Sequence, residues 1–244
     1  MNKKKIALIT GANKGIGLET ARQLGQQDIT VLLAARDSRK GTTAAEELRK
    51  DGIDAHPIVL DVSDPESIRK AATEVERDYG RLDILINNAA VMTDDKEKKV
   101  SEQTLDTWRK TFDTNLFGLI GTTQAFLPLL RRSTAGRIVN LSSILGSITL
   151  HGQPGSPIYE SKGYASYNVS KSAVNAFTVQ LAYELKDTPL KVNAAHPGWV
   201  KTDMGGEGAT MEIVDGAKTS VALATLDADG PSGSFLHMGE GLPW

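Results

Sequence analysis

The 244-residue sequence contains no cysteine, which excludes disulfides, thiolate catalysis, iron–sulfur clusters and every cysteine-ligated zinc site. Its four histidines, His56, His151, His196 and His237, stand at no metal-ligand spacing, so no metal site is expected. A basic surplus is also missing. The 28 Lys and Arg against 30 Asp and Glu leave a formal charge of -2, with no field to gather nucleic acid or an anionic membrane. Long apolar runs are absent as well: nothing approaches the ~20 residues of a membrane span. Residues 6–9 run straight into Thr10-Gly11, whereas a signal peptide needs an apolar stretch of roughly 7–15 residues. Neither nucleic acid nor membrane is an expected partner, and a cytoplasmic location is expected.

What remains is an ordinary globular composition, 40% hydrophobic and 24% charged. The length suits one α/β domain over residues 1–244, and there is no repeat, low-complexity tract or interdomain linker. Short β-branched runs at 5–10, 30–34, 55–60, 82–86, 136–141, 191–195 and 233–236 read as strands. Most are apolar on both faces, as parallel strands covered by helices must be. Helical stretches at 15–25, 38–51, 65–79, 105–130 and 167–186 lie between them, and Ser63-Asp64-Pro65-Glu66 reads as a capped helix start. This alternation predicts a single Rossmann-type doubly wound parallel sheet of about seven strands, with helices on both faces. Two segments break the rhythm: 93–101 is dense in charge, and 144–166 is a long loop rich in Gly, Pro and Ser. Long loops of this kind are usually functional or mobile.

The first strand ends in Thr10-Gly11-Ala12-Asn13-Lys14-Gly15-Ile16-Gly17 and opens a helix. Glycines there let the backbone turn sharply and approach a pyrophosphate, which then faces the positive end of the helix. The spacing is G-x-x-x-G-x-G, and plain turn chemistry is the competing reading. At the end of the second strand stands Arg36. An acid there would bind a ribose 2′-hydroxyl, while an arginine favours a 2′-phosphate, with Lys14 able to approach the same group. Asp37 follows at once, and solvated surface charge is the alternative for both cations; the favoured cofactor is NADP(H).

The strongest local signal is Tyr167-Asn168-Val169-Ser170-Lys171 at the start of a helix. Residues i and i+4 share a helical face, so phenol and ammonium point into one site. A phenol titrates near ~10 and is a poor base at neutral pH; a fixed cation beside it favours the phenolate. Tyr159, Tyr164 and Tyr183 have no lysine four residues on. Upstream, Asn140-Leu141-Ser142-Ser143 ends the fifth strand, where a hydroxyl can donate to a carbonyl oxygen gathering negative charge. Serines at strand ends are also common loop formers.

Together these residues resemble the short-chain dehydrogenase/reductase family over essentially the whole chain. The resemblance is carried by residues 10–17, Asp61-Val62, Asn87-Asn88-Ala89-Ala90, Asn115, Ser142-Ser143, Tyr167 with Lys171, and Pro197-Gly198 with Thr202. Residues 196–204, the glycine turn and the closing Gly241-Leu242-Pro243-Trp244 are most similar to the NADPH-dependent carbonyl reductases. The resemblance implies that Ser143 polarises the substrate carbonyl and that Tyr167 delivers or removes the proton. It implies that Lys171 lowers the tyrosine pKa and holds the nicotinamide ribose, and that Asn115 anchors a relay water. It places Gly11, Asn13, Lys14, Gly15, Ile16, Gly17, Arg36, Asp61, Val62, Asn88, Ala89, Pro197, Val200 and Thr202, besides Tyr167 and Lys171, along the cofactor.

Two departures stand out: Ala90 replaces the family's glycine, and the Ser143-to-Tyr167 interval is longer than usual. Carbonyl reductases likewise carry an insertion there, which implies a monomer or weak homodimer, with His151, Pro154 and Tyr159 candidates for the pocket rim. The substrate pocket is expected among Ser143, Ile144, Leu145, Tyr167, Trp199, Met204 and a short loop at 203–214, although Trp199 and Met204 read equally well as core packing. His196 reads as structural. Trp244 has three possible places: a subunit contact, the active site, or its own surface. The expected activity is reduction of a small ketone or aldehyde, or oxidation of the alcohol. A catalytically silent nucleotide sensor or scaffold of the same fold is the alternative, disfavoured because tyrosine, lysine, serine and asparagine are all present. The short stretch after Thr202 leaves little room for the substrate domain of an epimerase.

Overall fold

The structure is a computed structural model and describes residues 4–244. Seven strands run parallel: β1 Ile6–Thr10, β2 Thr30–Ala35, β3 Ala55–Val59, β4 Ile84–Asn87, β5 Arg137–Leu141, β6 Lys191–Ala195 and β7 Phe235–His237. A two-residue strand, β8 Glu240–Gly241, adds an antiparallel edge after β7. The sheet order is β3-β2-β1-β4-β5-β6-β7-β8, which reverses direction between β1 and β4. Successive strand residues point to opposite faces, so each strand feeds two cores. Leu8, Leu32, Leu85, Ile138 and Val192 lie in one, and Ile9, Val31, Leu33, Ile86 and Val139 in the other.

The first core packs against α3 Pro65–Tyr79, α5 Leu119–Leu130 and α7 Ala165–Glu184, and the second against α1 Gly15–Gly25, α2 Ser38–Lys50 and α8 Ile213–Ala224. Local chemistry sets several starts. Asp37 caps α2 by accepting from Lys40 N–H (3.1 Å), and Asp64 caps α3 with Pro65 in the first turn.

Several elements differ from the sequence expectation. The stretch expected as one helix over 105–130 is α4 Leu105–Phe112, a wider π turn Asp113–Gly118, and then α5. Gly118 permits a close approach there, since a Cβ would lie 2.6 Å from the Val62 carbonyl oxygen. The long 144–166 loop contains a 3₁₀ turn, Ile144–Gly146, and a one-turn helix, α6 Ile148–Gly152. Helix α7 starts at Ala165, two residues before Tyr167. The segment expected as a substrate loop over 203–214 gives way to α8 at Ile213.

Candidate active site

In a doubly wound sheet, ligands bind beyond the carboxyl ends of the strands, at the point where strand order reverses. That point is the crevice between β1 and β4. Thr10 closes it at the floor: its Oγ1 accepts from the N–H groups of Asn88 and Ala89, both at 3.0 Å. The Asn88 amide returns a bond to the Thr10 carbonyl (2.7 Å). Asn88 is thereby a clamp between strand ends, and Gly17 is required by it, because a Cβ at Gly17 would sit 2.5 Å from the Asn88 amide nitrogen. Gly11 (φ 63°) and Gly15 (φ 58°) occupy the left-handed region that favours glycine.

Helix α1 starts after Lys14 with no capping side chain and no acid in its first turn. Its leading N–H groups therefore favour an anion, and the residues present fit a pyrophosphate. Beyond β2, Arg36 stands exposed while the Asp37 carboxylate is committed to capping α2. Asn13, Lys14, Arg39, Lys40, Thr43, Ala44 and Glu47 line a groove alongside. Arg39 and Lys40 escaped the sequence reading, although three cations within five residues of a strand end were the available signal. Lys14 pairs with Asp203, joining the glycine turn to the loop after β6; both partners are exposed, so the pair is readily exchanged. Asp61 accepts from Ser63 N–H (2.9 Å) and hydroxyl (2.6 Å), with buried Val62 beside it after β3.

Past β5 the two serines part. Ser142 donates to Asn175 (2.6 Å), facing α7, whereas the Ser143 hydroxyl lies against the Tyr167 phenol. Tyr167 is buried, and Lys171 Nζ lies 5.6 Å from its ring centroid while donating to the Leu141 carbonyl (2.6 Å). The spacing expectation for this pair thus holds in space. The direction of the phenol's shift differs from what the ammonium alone suggests. Burial pushes Tyr167 up to about 12, with the Ser143 hydrogen bond acting against it, and burial pushes Lys171 down to about 8.

Asn115 sits in the π turn, where such turns often mark functional sites. Its side chain accepts from Val91 N–H (2.8 Å), donates to Val91 O (2.9 Å) and to Ser170 Oγ (3.0 Å). Pro197, buried Val200 and Thr202 follow β6 in a compact excursion closed by a Val200–Met211 bridge. Trp199 is 58% exposed, its indole N–H given to Gly205 O (2.9 Å), and Met204 is 41% exposed, so neither is core. Leu145 is half-buried after Ser143. Trp244 stacks on Phe235 with ring centroids 5.6 Å apart, and its carbonyl oxygen accepts from Thr149 N–H (2.9 Å) at the start of α6. Among the described residues no cluster of potential ligands for a metal ion occurs, and no helix is long and apolar enough to cross a membrane.

A Gly-rich turn at a topological switch point, with a serine just past a neighbouring strand and a tyrosine and a lysine on the helix packed against it, is the arrangement of a dinucleotide-fold oxidoreductase. The comparisons agree. The family model for short chain dehydrogenases matches residues 5–212. Carbonyl reductase [NADPH] 1 of Mus musculus is 32% identical, over 99% of this chain and 99% of that protein. Short-chain dehydrogenase/reductase 1 of Saponaria officinalis is also 32% identical, over 99% and 96%. The crystal structure of NADPH-bound carbonyl reductase from chicken fatty liver superposes with a TM-score of 0.86 at 28% identity, covering 99% of this chain and 100% of the other. The chain belongs to the short chain dehydrogenase family, whose members are oxidoreductases.

Proposed function

We propose that the protein is an NADP(H)-dependent oxidoreductase that reduces a small ketone or aldehyde, or oxidises the alcohol, with Tyr167 as the acid/base. The observation that carries this reading is a buried phenol in contact with Ser143, its ring 5.6 Å from the Lys171 ammonium, at the carboxyl end of a dinucleotide-fold sheet. Gly11, Asn13, Gly15, Ile16 and Gly17 would hold the pyrophosphate against the start of α1. Asp61 and Val62 would flank the adenine, Asn88 and Ala89 would line the cofactor near its middle, and Pro197, Val200 and Thr202 would secure the nicotinamide end. When bound, the reduced nicotinamide supplies the hydride.

Preference for the 2′-phosphate rests on two features: the Asp37 carboxylate is taken up by α2, and Lys14, Arg39 and Lys40 line the groove, with Arg36 exposed at the end of β2. The similarity to mouse carbonyl reductase [NADPH] 1 and to the NADPH-bound chicken carbonyl reductase supports the same choice.

In the reducing direction Ser143 Oγ–H donates to the carbonyl oxygen and polarises it. Burial keeps the Tyr167 phenol protonated at neutral pH, so it carries the proton that the oxygen takes as charge gathers there. Lys171 then faces a phenolate, and its charge stabilises that state within a dry site. The Asn115 side chain is committed to Val91 and Ser170, so the relay water implied for it falls to its main chain. Leu145, Trp199 and Met204 would border the substrate, Trp199 and Met204 as exposed apolar surface.

The test is a panel of aldehydes and ketones offered with NADPH and with NADH, following loss of reduced-cofactor absorbance. Turnover with NADPH in preference to NADH is expected. Tight NADPH binding with no consumption on any carbonyl would count against an enzyme and for a sensor.

A further inference from the structure

Helix α7 presents Tyr167 from its first turn, yet Tyr164 at its N-cap supplies no capping side chain. The donors of a first turn need partners, especially where that turn is buried. Here they are met from 73 residues upstream. Asp94, in the charged loop after β4, accepts from Ser166 N–H at 2.7 Å, Ser166 Oγ at 2.9 Å and Tyr167 N–H at 3.1 Å. Both carboxylate oxygens are engaged, one bond falling on the backbone of Tyr167 itself.

The loop bearing Asp94 is itself tied down in the residues just before it. Asn115 binds both backbone groups of Val91, and Thr93 Oγ1 lies 2.7 Å from Thr111 Oγ1, which in turn lies 2.9 Å from Ser166 Oγ. Thr111 and Ser166 are fully buried. Hydrogen bonds thus tie this loop both to the π turn and, through Thr111, to the first turn of α7.

We infer that Asp94 is a positioning residue for the reaction: its carboxylate fixes the first turn of α7 and, through it, where the Tyr167 hydroxyl stands relative to Ser143. This rests on the reading of Tyr167 as acid/base. First turns fray when uncapped, and charge-assisted bonds to backbone N–H are the strong ones. A small displacement of a catalytic group costs far more in turnover than in binding. Asp94 touches no reacting atom, so its loss should appear in kcat and not in cofactor affinity.

The full-length protein is tested as Asp94→Ala and Asp94→Asn, each alone and combined with Tyr167→Phe, with NADPH and one carbonyl that it reduces. Asp94→Ala is expected to lower kcat on the order of tenfold or more while NADPH affinity stays within about twofold. Asp94→Asn keeps one acceptor oxygen but turns an NH2 toward a donor that the second carboxylate oxygen accepted from, and is expected to recover only part of that loss. On the Tyr167→Phe background, Asp94→Ala is expected to add no further loss, because the group it positions is gone. Wild-type turnover in Asp94→Ala beside an inactive Tyr167→Phe overturns this inference alone. So does an equal loss on both backgrounds, or a loss shared by kcat and NADPH affinity. Wild-type turnover in Tyr167→Phe overturns the acid/base reading and this inference with it. Should Asp94→Ala fail to fold, Asp94→Asn alone decides. A kcat lowered several-fold with unchanged NADPH affinity, and no further loss on the Tyr167→Phe background, supports the inference. Wild-type kcat, a loss shared with NADPH affinity or a loss on both backgrounds overturns it.

Discussion

At the scale of single residues, burial outweighs charge. Lys171 stands 5.6 Å from the Tyr167 ring, but both groups are buried, and each is pushed toward its neutral form. Sequence spacing shows that two side chains share a helical face; it says nothing of the dielectric around them, so the sign of the phenol's shift was not legible. His196 obeys the same physics in a structural setting. Its Nδ1 accepts from Ile144 N–H (3.2 Å) and Gly198 N–H (3.4 Å), and burial, with His237 nearby, pushes it down to about 3. The folded pKa lies below the unfolded one, so the unfolded chain binds the extra proton; the stability this confers is full above pH ~6.5 and is lost as pH falls toward 3. His196→Asn keeps an acceptor near the same place and removes the titration. Between pH 6.5 and 4, wild type is expected to lose on the order of 2 kcal/mol more stability than His196→Asn, read from urea midpoints. Equal pH slopes for the two proteins would contradict this.

At the scale of elements, the strands were legible because parallel strands buried on both faces are short, apolar and β-branched. Their carboxyl ends, where Thr10, Arg36, Asp61, Asn88, Ser143 and Pro197 sit, were legible with them. Helix α8 was not, because Gly216, Ala217, Thr219, Ser220, Val221, Leu223 and Ala224 are all buried and small or polar residues interrupt the apolar face. Asp94 was missed for another reason: it caps a helix 72 residues away from it, and no local pattern marks such a partner. The 3₁₀ turn after Ser143 shows how closely two elements must meet. A Cβ at Gly146 would lie 2.8 Å from the Lys171 carbonyl carbon and 2.9 Å from its oxygen, both backbone atoms that cannot swing aside. Gly146→Ala is expected to cost ~1–3 kcal/mol of stability and to lower kcat by pushing the serine turn off α7. An unchanged melting temperature together with unchanged turnover would sink that expectation.

At the scale of the whole molecule, one topological fact gathers the site. Because seven strands are parallel and their order reverses between β1 and β4, residues spread from Gly11 to Thr202 meet along one edge of the sheet. The order of motifs along the chain was enough to anticipate that edge and the loop at 144–166; the turns inside the loop were not legible, since they are held by contacts such as Thr149 N–H on Trp244 O, far away in sequence. In the proposed mechanism the site converges on the phenol. The most direct measurement replaces Tyr167 by Phe, which fills the same space without the hydroxyl, and compares NADPH affinity with carbonyl turnover in the full-length protein. The expected result is NADPH bound as in wild type with kcat reduced by a factor on the order of 10²–10⁴, the usual worth of a positioned proton donor. Turnover within a few-fold of wild type would contradict the account.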